Sequence, residues 1–137
     1  MRLAEHRQDA SVLAKKTFLI EEFFSAEIEK GKITSAQFSS EKKTIKIHAH
    51  CHQKAMSNVK HTFDLLNLPE NFKVTIIPSG CCGMAGSFGY EKQHYEISMQ
   101  IGEQTLFPAV RKAKKNTIII ANGTSCRHQI KDGTQKN

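Results

Sequence analysis

The sequence predicts an α/β fold, in which a small parallel β-sheet is covered by helices and the cysteines lie at the carboxyl edge of the strands. Three β-branched runs predict the strands, at 44–49, 73–77 and 117–121. Helical patterns lie between them, and strands that alternate with helices are typical of a parallel sheet. A cysteine or a cysteine pair follows each run within a few residues. Because the carboxyl ends of parallel strands share one edge, we expect the sulfurs to meet there.

The first helical stretch covers about 10–30, where apolar residues recur at helical spacing. Its apolar stripe consists of Val12, Leu13, Leu19, Ile20, Phe23, Phe24 and Ile28. Such a stripe is typical of a helix that packs against the core. We expect Gly31 to end this helix.

Two further helices are expected between the strands. The first covers about 53–66 and ends at the Leu68–Pro69 step, because the residue before a proline is driven out of the helical region. The second covers 90–114, and Pro108 within it predicts a kink or a break near Phe107.

The whole chain, 1–137, is expected to form a single domain with loose termini at 1–9 and 130–137. Its 137 residues and mass of 15.4 kDa suit one hydrophobic core. No apolar run approaches the roughly 20 residues that cross a membrane, and the polar start MRLAEHRQDA lacks the apolar core of a signal peptide. We therefore expect a cytoplasmic location. In that reducing compartment cysteines serve as metal ligands, reactive thiols or buried apolar side chains rather than as disulfides.

The net charge of +7 and the isoelectric point near 9.3 permit contact with nucleic acid, with an acidic partner or with a membrane surface. Only the basic cluster at 111–115 is dense, and no aromatic side chain that could stack on a base lies within it. Cations are favourable at helix C-termini. A solvated helix end is therefore favoured over a nucleic-acid site.

The segment SGCCGMAGSFGY is the most specific part of the sequence. Glycines recur at every third position around the adjacent Cys81 and Cys82. Glycine permits positive φ and close backbone approach to a bound group, which we expect of Gly80, Gly83 and Gly86. Backbone amides at the start of a helix stabilise thiolates. These features favour a pair of metal ligands over a phosphate loop, whose GxGxxG or GxxxxGKS/T pattern is absent, and over buried packing cysteines.

The run HAHCHQKA contains the first cysteine, at the exit of the first strand. We expect Cys51 to be a metal ligand and His52 to be a neighbour that hydrogen-bonds to a sulfur. His48 and His50 share one face of the strand. Histidines that alternate in this way are also ordinary as hydrogen-bonded or exposed side chains.

The run NGTSCRHQI contains the last cysteine, Cys126, after a turn of small residues. Arg127 and His128 follow it directly and could offset the negative charge of a thiolate-bound metal. The alternative is that both side chains are simply exposed.

Taken in order, the runs HCHQKA, SGCCGMAGSFGYE and GTSCRHQI resemble the cysteine-rich CCG domain. That domain occurs in heterodisulfide reductase subunits and glycolate oxidase iron–sulfur subunits, and the sequence most resembles the C-terminal end of FAD-linked oxidases similar to D-lactate dehydrogenase. The resemblance extends over about 6–133. In the family pattern a lone cysteine is followed by a CC pair and then by a closing CxxC. Cys51, the pair Cys81 and Cys82, and Cys126 match these positions.

The resemblance implies an iron–sulfur cluster-binding electron-transfer module of an FAD-linked oxidoreductase that acts on a 2-hydroxy acid such as lactate or glycolate. The four cysteines would ligate the metal, Gly80, Gly83 and Gly86 would let the backbone reach the sulfurs, and His52 would lie beside them. The chain would not be catalytic alone. FAD would belong to the parent protein or to a partner subunit. The expected partners are flavin-containing and ferredoxin-like domains or subunits, with membrane contact only through them and no nucleic acid.

One departure from the family pattern concerns the closing CxxC, whose first cysteine is replaced by Gly123. Four cysteines remain, which is the number that a simple 4Fe–4S cluster takes. The larger non-cubane arrangement of the family uses more. Its cluster type therefore does not follow from the resemblance.

Three other functions remain open. A zinc-stabilised interaction domain would hold the metal on four thiolates in a closed, redox-silent site, although the spacing is unlike that of short zinc knuckles. A thiol–disulfide protein that uses Cys81 and Cys82 is less favoured, because a ring closed between neighbours is strained and no CxxC is present. A nucleic-acid binder, whose affinity would fall steeply with salt, is favoured least.

Overall fold

Three parallel strands form an open sheet in the order β2–β1–β3 in the computed structural model, which describes residues 6–136. The strands are β1 (Lys43–His48), β2 (Phe72–Ile76) and β3 (Thr117–Ala121). Helices flank the sheet, which confirms the predicted α/β class. Each strand lies within one residue of its predicted bounds, because β-branched runs are a strong strand signal.

The helices alternate with the strands, as the sequence predicts. They are α1 (Arg7–Lys16), α2 (Ile20–Glu29), α3 (Cys51–Met56), α4 (Val59–Asn67), α5 (Tyr95–Gln104), α6 (Leu106–Arg111) and α7 (Thr124–Thr134). Short 3-10 turns cover Ser35–Gln37, Phe88–Tyr90 and Lys92–His94. Among residues 6–136, no helix is both long and apolar enough to cross a membrane.

The single core helix expected over 10–30 is wrong in two respects. First, the chain forms α1 and α2, because the Glu22 carboxylate accepts the Leu19 backbone N–H at 2.8 Å and starts a new helix there. Second, much of the apolar stripe faces outward, and within Arg7–Lys16 no residue is buried. The second of these helices, α2, packs against α4. The expected stop is confirmed: α2 ends at Glu29, and Gly31 adopts φ +70°.

The helix expected over 53–66 is also divided in two. Asn58 accepts the Lys60 backbone N–H at 2.9 Å through its side chain and thereby caps the start of α4. The preceding helix, α3, begins at Cys51 rather than at Gln53. The end of α4 at Asn67, just before the Leu68–Pro69 step, agrees with the prediction.

The long helix expected over 90–114 breaks as Pro108 predicts, although at Thr105 rather than at Phe107. Pro108 lies in the first turn of α6, where backbone N–H groups have no partner within the helix, so proline is tolerated there. The first part of this stretch forms 3-10 turns, and α5 begins only at Tyr95.

The loose termini expected at 1–9 and 130–137 are ordered where the structure describes them. The last helix, α7, continues to Thr134 and buries Ile130, whose side chain anchors it to the core. Residues 7–9 belong to α1. The part of the prediction that concerns 1–5 and 137 lies outside the described residues.

The larger core cluster surrounds Phe107, which is 0% exposed. Its ring lies so close to Gly102 and Gly133 that a Cβ at either position would stand 2.3 or 2.4 Å from it. The same cluster contains Cys82 and Cys126. The helices of the carboxyl half and two of the cysteines therefore share one packed unit.

Truncation of this central ring should destabilise the fold strongly. We expect Phe107→Ala to lower the free energy of unfolding by about 3–5 kcal/mol, since it removes a fully buried aromatic ring and leaves a cavity. Urea unfolding measures the change. The control is Phe23→Ala, whose ring is 54% exposed, and its loss should stay below about 1 kcal/mol. Equal losses in the two variants would contradict this assignment of the core.

Candidate metal centre

The four cysteines lie at the carboxyl edge of the sheet, as the sequence predicts. Cys51 begins α3 shortly after β1 ends, Cys81 and Cys82 lie in the loop after β2, and Cys126 lies in the first turn of α7, after β3. All four, which fall within the described residues, are free thiols. Cys82 and Cys126 are 4% and 1% exposed, whereas Cys51 and Cys81 are half-buried. Cys82 and Cys126 form a buried inner pair and belong to the group of ligand atoms that lie within 4.8 Å of one another, whereas Cys51 and Cys81 do not.

The inner sulfurs share their space with an imidazole. The ligand atoms of His48, Cys82 and Cys126 all lie within 4.8 Å of one another. His48 is the last residue of the central strand β1 and is 1% exposed. Sequence reasoning left His48 among the ordinary histidines. Its place at the end of the central strand is the signal that could have singled it out, since such a residue is buried by the strands on both sides.

One ring nitrogen of His48 is left without a partner. Its Nδ1 lies 2.7 Å from the Ser79 hydroxyl oxygen. The other nitrogen, Nε2, is buried and makes no hydrogen bond to any described residue. A buried polar atom without a protein partner is costly unless a water, a ligand or an ion meets it.

The electrostatics of the inner pair favour one thiolate and one thiol. The hydrogen bond from the Cys126 thiol, with help from His48 and the Met84 backbone N–H, holds the pKa of Cys82 far below its usual range. The pKa of Cys126 is raised, because its proton is shared with Cys82, because it is buried and because negative charge on Cys51 and Cys81 would repel a second thiolate. Cys82 is therefore already in the form that binds a metal.

The turn that carries Cys81 and Cys82 depends on Gly83. This residue adopts φ +104°, and a Cβ there would stand 2.1 Å from the Ser98 carbonyl oxygen. Its backbone N–H donates to the Cys81 sulfur at 3.3 Å. Gly83 thus meets both expectations for this turn, positive φ and contact between backbone and sulfur.

The other two candidate glycines differ from Gly83. Gly86 also has positive φ, +71°, but nothing lies within 4 Å of where its Cβ would be. Gly80 has ordinary φ and open space around it. Its carbonyl oxygen accepts a hydrogen bond from the Lys54 ammonium at 3.0 Å. The same ammonium donates to the Ser79 carbonyl oxygen at 2.6 Å. Lys54 therefore ties α3, which begins at Cys51, to the turn that carries the cysteine pair.

Gly123 provides room for an imidazole. A Cβ at this position would stand 2.2 Å from Cδ2 of His50, and it would lie 3.1 Å from both the His50 Nε2 and the Cys126 sulfur. The ring of His50 therefore occupies the space in which a side chain at 123 would stand. His52 is exposed, and its ring packs edge-on against His50 with 5.3 Å between centroids. His52 donates a hydrogen bond to His50 through its backbone N–H and not through its ring.

The two basic residues after Cys126 are exposed and have other partners. Arg127 donates to the Thr124 hydroxyl at 3.1 Å, and Nδ1 of His128 lies 2.8 Å from the Tyr90 hydroxyl oxygen. Arg127 and His128 are thus exposed side chains, as the alternative interpretation of the sequence expected. Lys54 is the cation that approaches the cysteine turn directly.

A groove of about 700 Å³ adjoins the centre on the side of the N-terminal helices. Its walls come from α1, α2 and α3, and His50 and Gly123 form the part nearest the cysteines. Two carboxylates of α2 lie in its wall, and both are engaged by neighbours: Asn122 donates to Glu21 and Ser57 donates to Glu22.

The donor set fits a metal with a preference for soft ligands. Thiolates and imidazole suit zinc, iron and iron–sulfur clusters rather than magnesium or calcium. The buried Nε2 of His48, which has no hydrogen-bond partner among the described residues, lies in the same group as the two sulfurs. The residues present therefore fit a metal cofactor.

Known proteins with similar sequences are dehydrogenases or their subunits. The chain is 30% identical over 87 residues to a subunit of the anaerobic glycerol-3-phosphate dehydrogenase of Escherichia coli strain K12, which is 64% of this chain and 22% of that subunit. It is 33% identical over 100 residues to D-2-hydroxyglutarate dehydrogenase of Pseudomonas putida strain KT2440, covering 68% of this chain and 9% of that protein. The protein of the same name from E. coli K12 is 39% identical over 59 residues, covering 43% of this chain and 6% of that protein.

The chain is similar to segments of dehydrogenases. It spans less than a quarter of the length of these curated relatives. No protein-family model matches the chain, and no solved structure matches it. An oxidoreductase-related module is the function class that these similarities support.

A methyl group at position 83 should disrupt the cysteine turn. We expect Gly83→Ala to lower the free energy of unfolding by about 1–3 kcal/mol from backbone strain alone, and by more from the clash with the Ser98 carbonyl. Urea unfolding measures the loss. Gly80→Ala is the matched control, because its φ is ordinary and its surroundings are open, and it should change stability by less than about 0.5 kcal/mol. An unchanged free energy of unfolding in Gly83→Ala would show that the cysteine turn does not depend on glycine at this position.

Proposed function

We propose that this chain is an iron–sulfur cluster-binding electron-transfer module of an FAD-linked oxidoreductase that acts on a 2-hydroxy acid such as lactate or glycolate. The observation that carries the proposal is the convergence of Cys82 and Cys126, which follow β2 and β3, with the buried imidazole at the end of β1. The similarity to dehydrogenase segments adds the redox context. In this proposal Cys51, Cys81, Cys82 and Cys126 are metal ligands, and the module is a CCG domain.

The proposed module spans 1–137 as one domain and works as part of a larger oxidoreductase. The relatives are several times longer than the segment that matches, which leaves room for other domains in them. We place FAD and ferredoxin-like clusters in such domains or in partner subunits. The module itself would be cytoplasmic, with membrane contact only through its partners. One relative is named for a 2-hydroxy acid, which supports that substrate class.

The residues around the centre have separate tasks in this proposal. An iron–sulfur cluster, when bound, accepts and releases single electrons. The core around Phe107 excludes water from Cys82 and Cys126, whereas the half-buried Cys51 and Cys81 lie nearer the surface, where electrons would enter or leave. The Gly83 N–H donates to a sulfur, and such hydrogen bonds tune the reduction potential. Lys54 adds positive charge beside thiolates that carry negative charge.

A second candidate is a zinc-stabilised interaction domain without redox activity. The observation that favours it is the buried trio of one imidazole and two sulfurs, since Cys₂His sets are found in zinc proteins. Zinc would be redox-silent and would stabilise the folded chain. Metal analysis separates the two candidates.

The metal content of the chain tests the proposal. After anaerobic purification and reconstitution with iron and sulfide, we expect stoichiometric iron and acid-labile sulfide and a brown protein that bleaches on reduction. Cys82→Ser should lose most of the iron, whereas Met56→Ala, which removes an 85% exposed thioether from α3, should retain it. Zinc in place of iron would favour the second candidate. A chain that takes up neither metal would refute both.

Removal of the Lys54 charge should lower the reduction potential of the centre. An electron enters less readily when a nearby cation is lost, and for an exposed ammonium we expect a fall of roughly 10–40 mV, or ~0.2–1 kcal/mol, in Lys54→Met. Redox titration followed by absorbance measures it. Lys60→Met removes the same charge from α4, where the side chain pairs with Asp64, and should leave the potential unchanged. An unchanged potential in Lys54→Met would remove Lys54 from this role.

A further inference from the structure

His48 has the chemistry of a metal ligand in addition to its position. Its ring is buried beside Cys82 and Cys126, within 4.8 Å of both sulfurs. Nε2 is left without a hydrogen-bond partner among the described residues. The hydrogen bond that the ring makes goes through Nδ1, to Ser79.

The contact with Ser79 is compatible with a His48 tautomer that suits a metal ligand. The Ser79 hydroxyl lies 3.5 Å from the Ile77 carbonyl oxygen, to which it can donate while it accepts from His48. In that tautomer Nδ1 carries the proton and Nε2 keeps its lone pair. A histidine that ligates a metal usually donates its other ring N–H in this way, which fixes the tautomer and the ring orientation.

His50 has the opposite arrangement. Its Nδ1 accepts the His52 backbone N–H at 3.2 Å, so in the neutral ring the proton belongs to Nε2. This Nε2–H lies on the side of Gly123 and Cys126. While that bond is kept, His50 can donate a hydrogen bond toward a sulfur but has no lone pair to offer a metal.

The geometry points to His48 as a ligand of the metal through Nε2, so that the centre has one nitrogen donor besides its sulfurs, while His50 acts only as a hydrogen-bond donor beside it. A cation at this position would meet the Cys82 sulfur, the Cys126 sulfur and the His48 ring together, since their ligand atoms lie within 4.8 Å of one another. The inference rests on the proposed function, because it concerns the same centre. It adds a residue that the cysteine pattern does not contain.

The position of Ser79 extends the inference by one residue. Ser79 is 6% exposed and follows β2, just before the cysteine turn. Because it holds Nδ1–H of His48, it is a positioning residue for the nitrogen ligand. Loss of such a partner typically weakens metal binding about 10–100-fold.

Pulsed electron paramagnetic resonance of the reconstituted, reduced chain tests the inference directly. With histidine labelled with ¹⁵N, we expect the strong hyperfine coupling of a nitrogen bound directly to iron. The coupling should vanish in His48→Gln and persist in His50→Gln. Iron and sulfide bound without a strongly coupled nitrogen, or a coupling lost only in His50→Gln, would overturn the role of His48 and leave the proposed function standing.

Cobalt binding tests the nitrogen ligand without an iron–sulfur cluster. Titration of the metal-free chain with Co²⁺ alone should give thiolate charge-transfer bands, with an affinity that falls more than about 100-fold in His48→Gln and about 10–100-fold in Ser79→Ala. His50→Gln should bind as the wild type does. Circular dichroism verifies that each variant is folded. If His48→Gln does not fold, the affinity of Ser79→Ala for Co²⁺ tests the inference instead. Equal affinities throughout, or no binding by the wild type, would overturn the inference.

A chain that holds cobalt through His48 but takes up no iron would refute the proposed function alone. The metal would then be held by a mixed nitrogen and sulfur site of the zinc type. The two failures are therefore distinguishable.

Discussion

The parallel register of three short strands is the constraint on which the rest of the structure depends. In that register Ile47 lies opposite Ile76 on one side and Ile120 on the other, so all three strands end at nearly the same level. The chain that leaves each strand must therefore pass through one small volume. This brings Cys82 and Cys126, which follow the two outer strands, within 4.8 Å of His48 at the end of the central strand.

The same constraint joins the candidate site to the hydrophobic core. Cys82 and Cys126 pack with Phe107 in the larger core cluster, and α7 contributes both Cys126 and Ile130 to it. A metal held by these sulfurs would thus stabilise the second half of the chain, since the site does not exist in the unfolded chain and metal binding therefore favours the folded state. The half-buried Cys51 and Cys81, in contrast, lie on the side of the centre where another domain could approach.

The strands were predictable from their local composition. Each follows from a β-branched run, and β3 matches its predicted bounds. The helix breaks depend on single side chains: Glu22 caps α2 and Asn58 caps α4, and neither contributes to an apolar pattern. The alternation of histidines alone does not show which ring is buried and which nitrogen lacks a partner, so His48 could be singled out only by its place at the end of the central strand.

X-ray absorption spectroscopy at the edge of the bound metal tests the central claim most directly, because it counts the atoms around the ion. The account predicts a dominant shell of sulfur at about 2.3 Å together with a lighter atom at about 2.0–2.1 Å that carries the outer-shell pattern of an imidazole. A metal surrounded only by oxygen and nitrogen would contradict the claim that sulfurs from three strand ends share one centre.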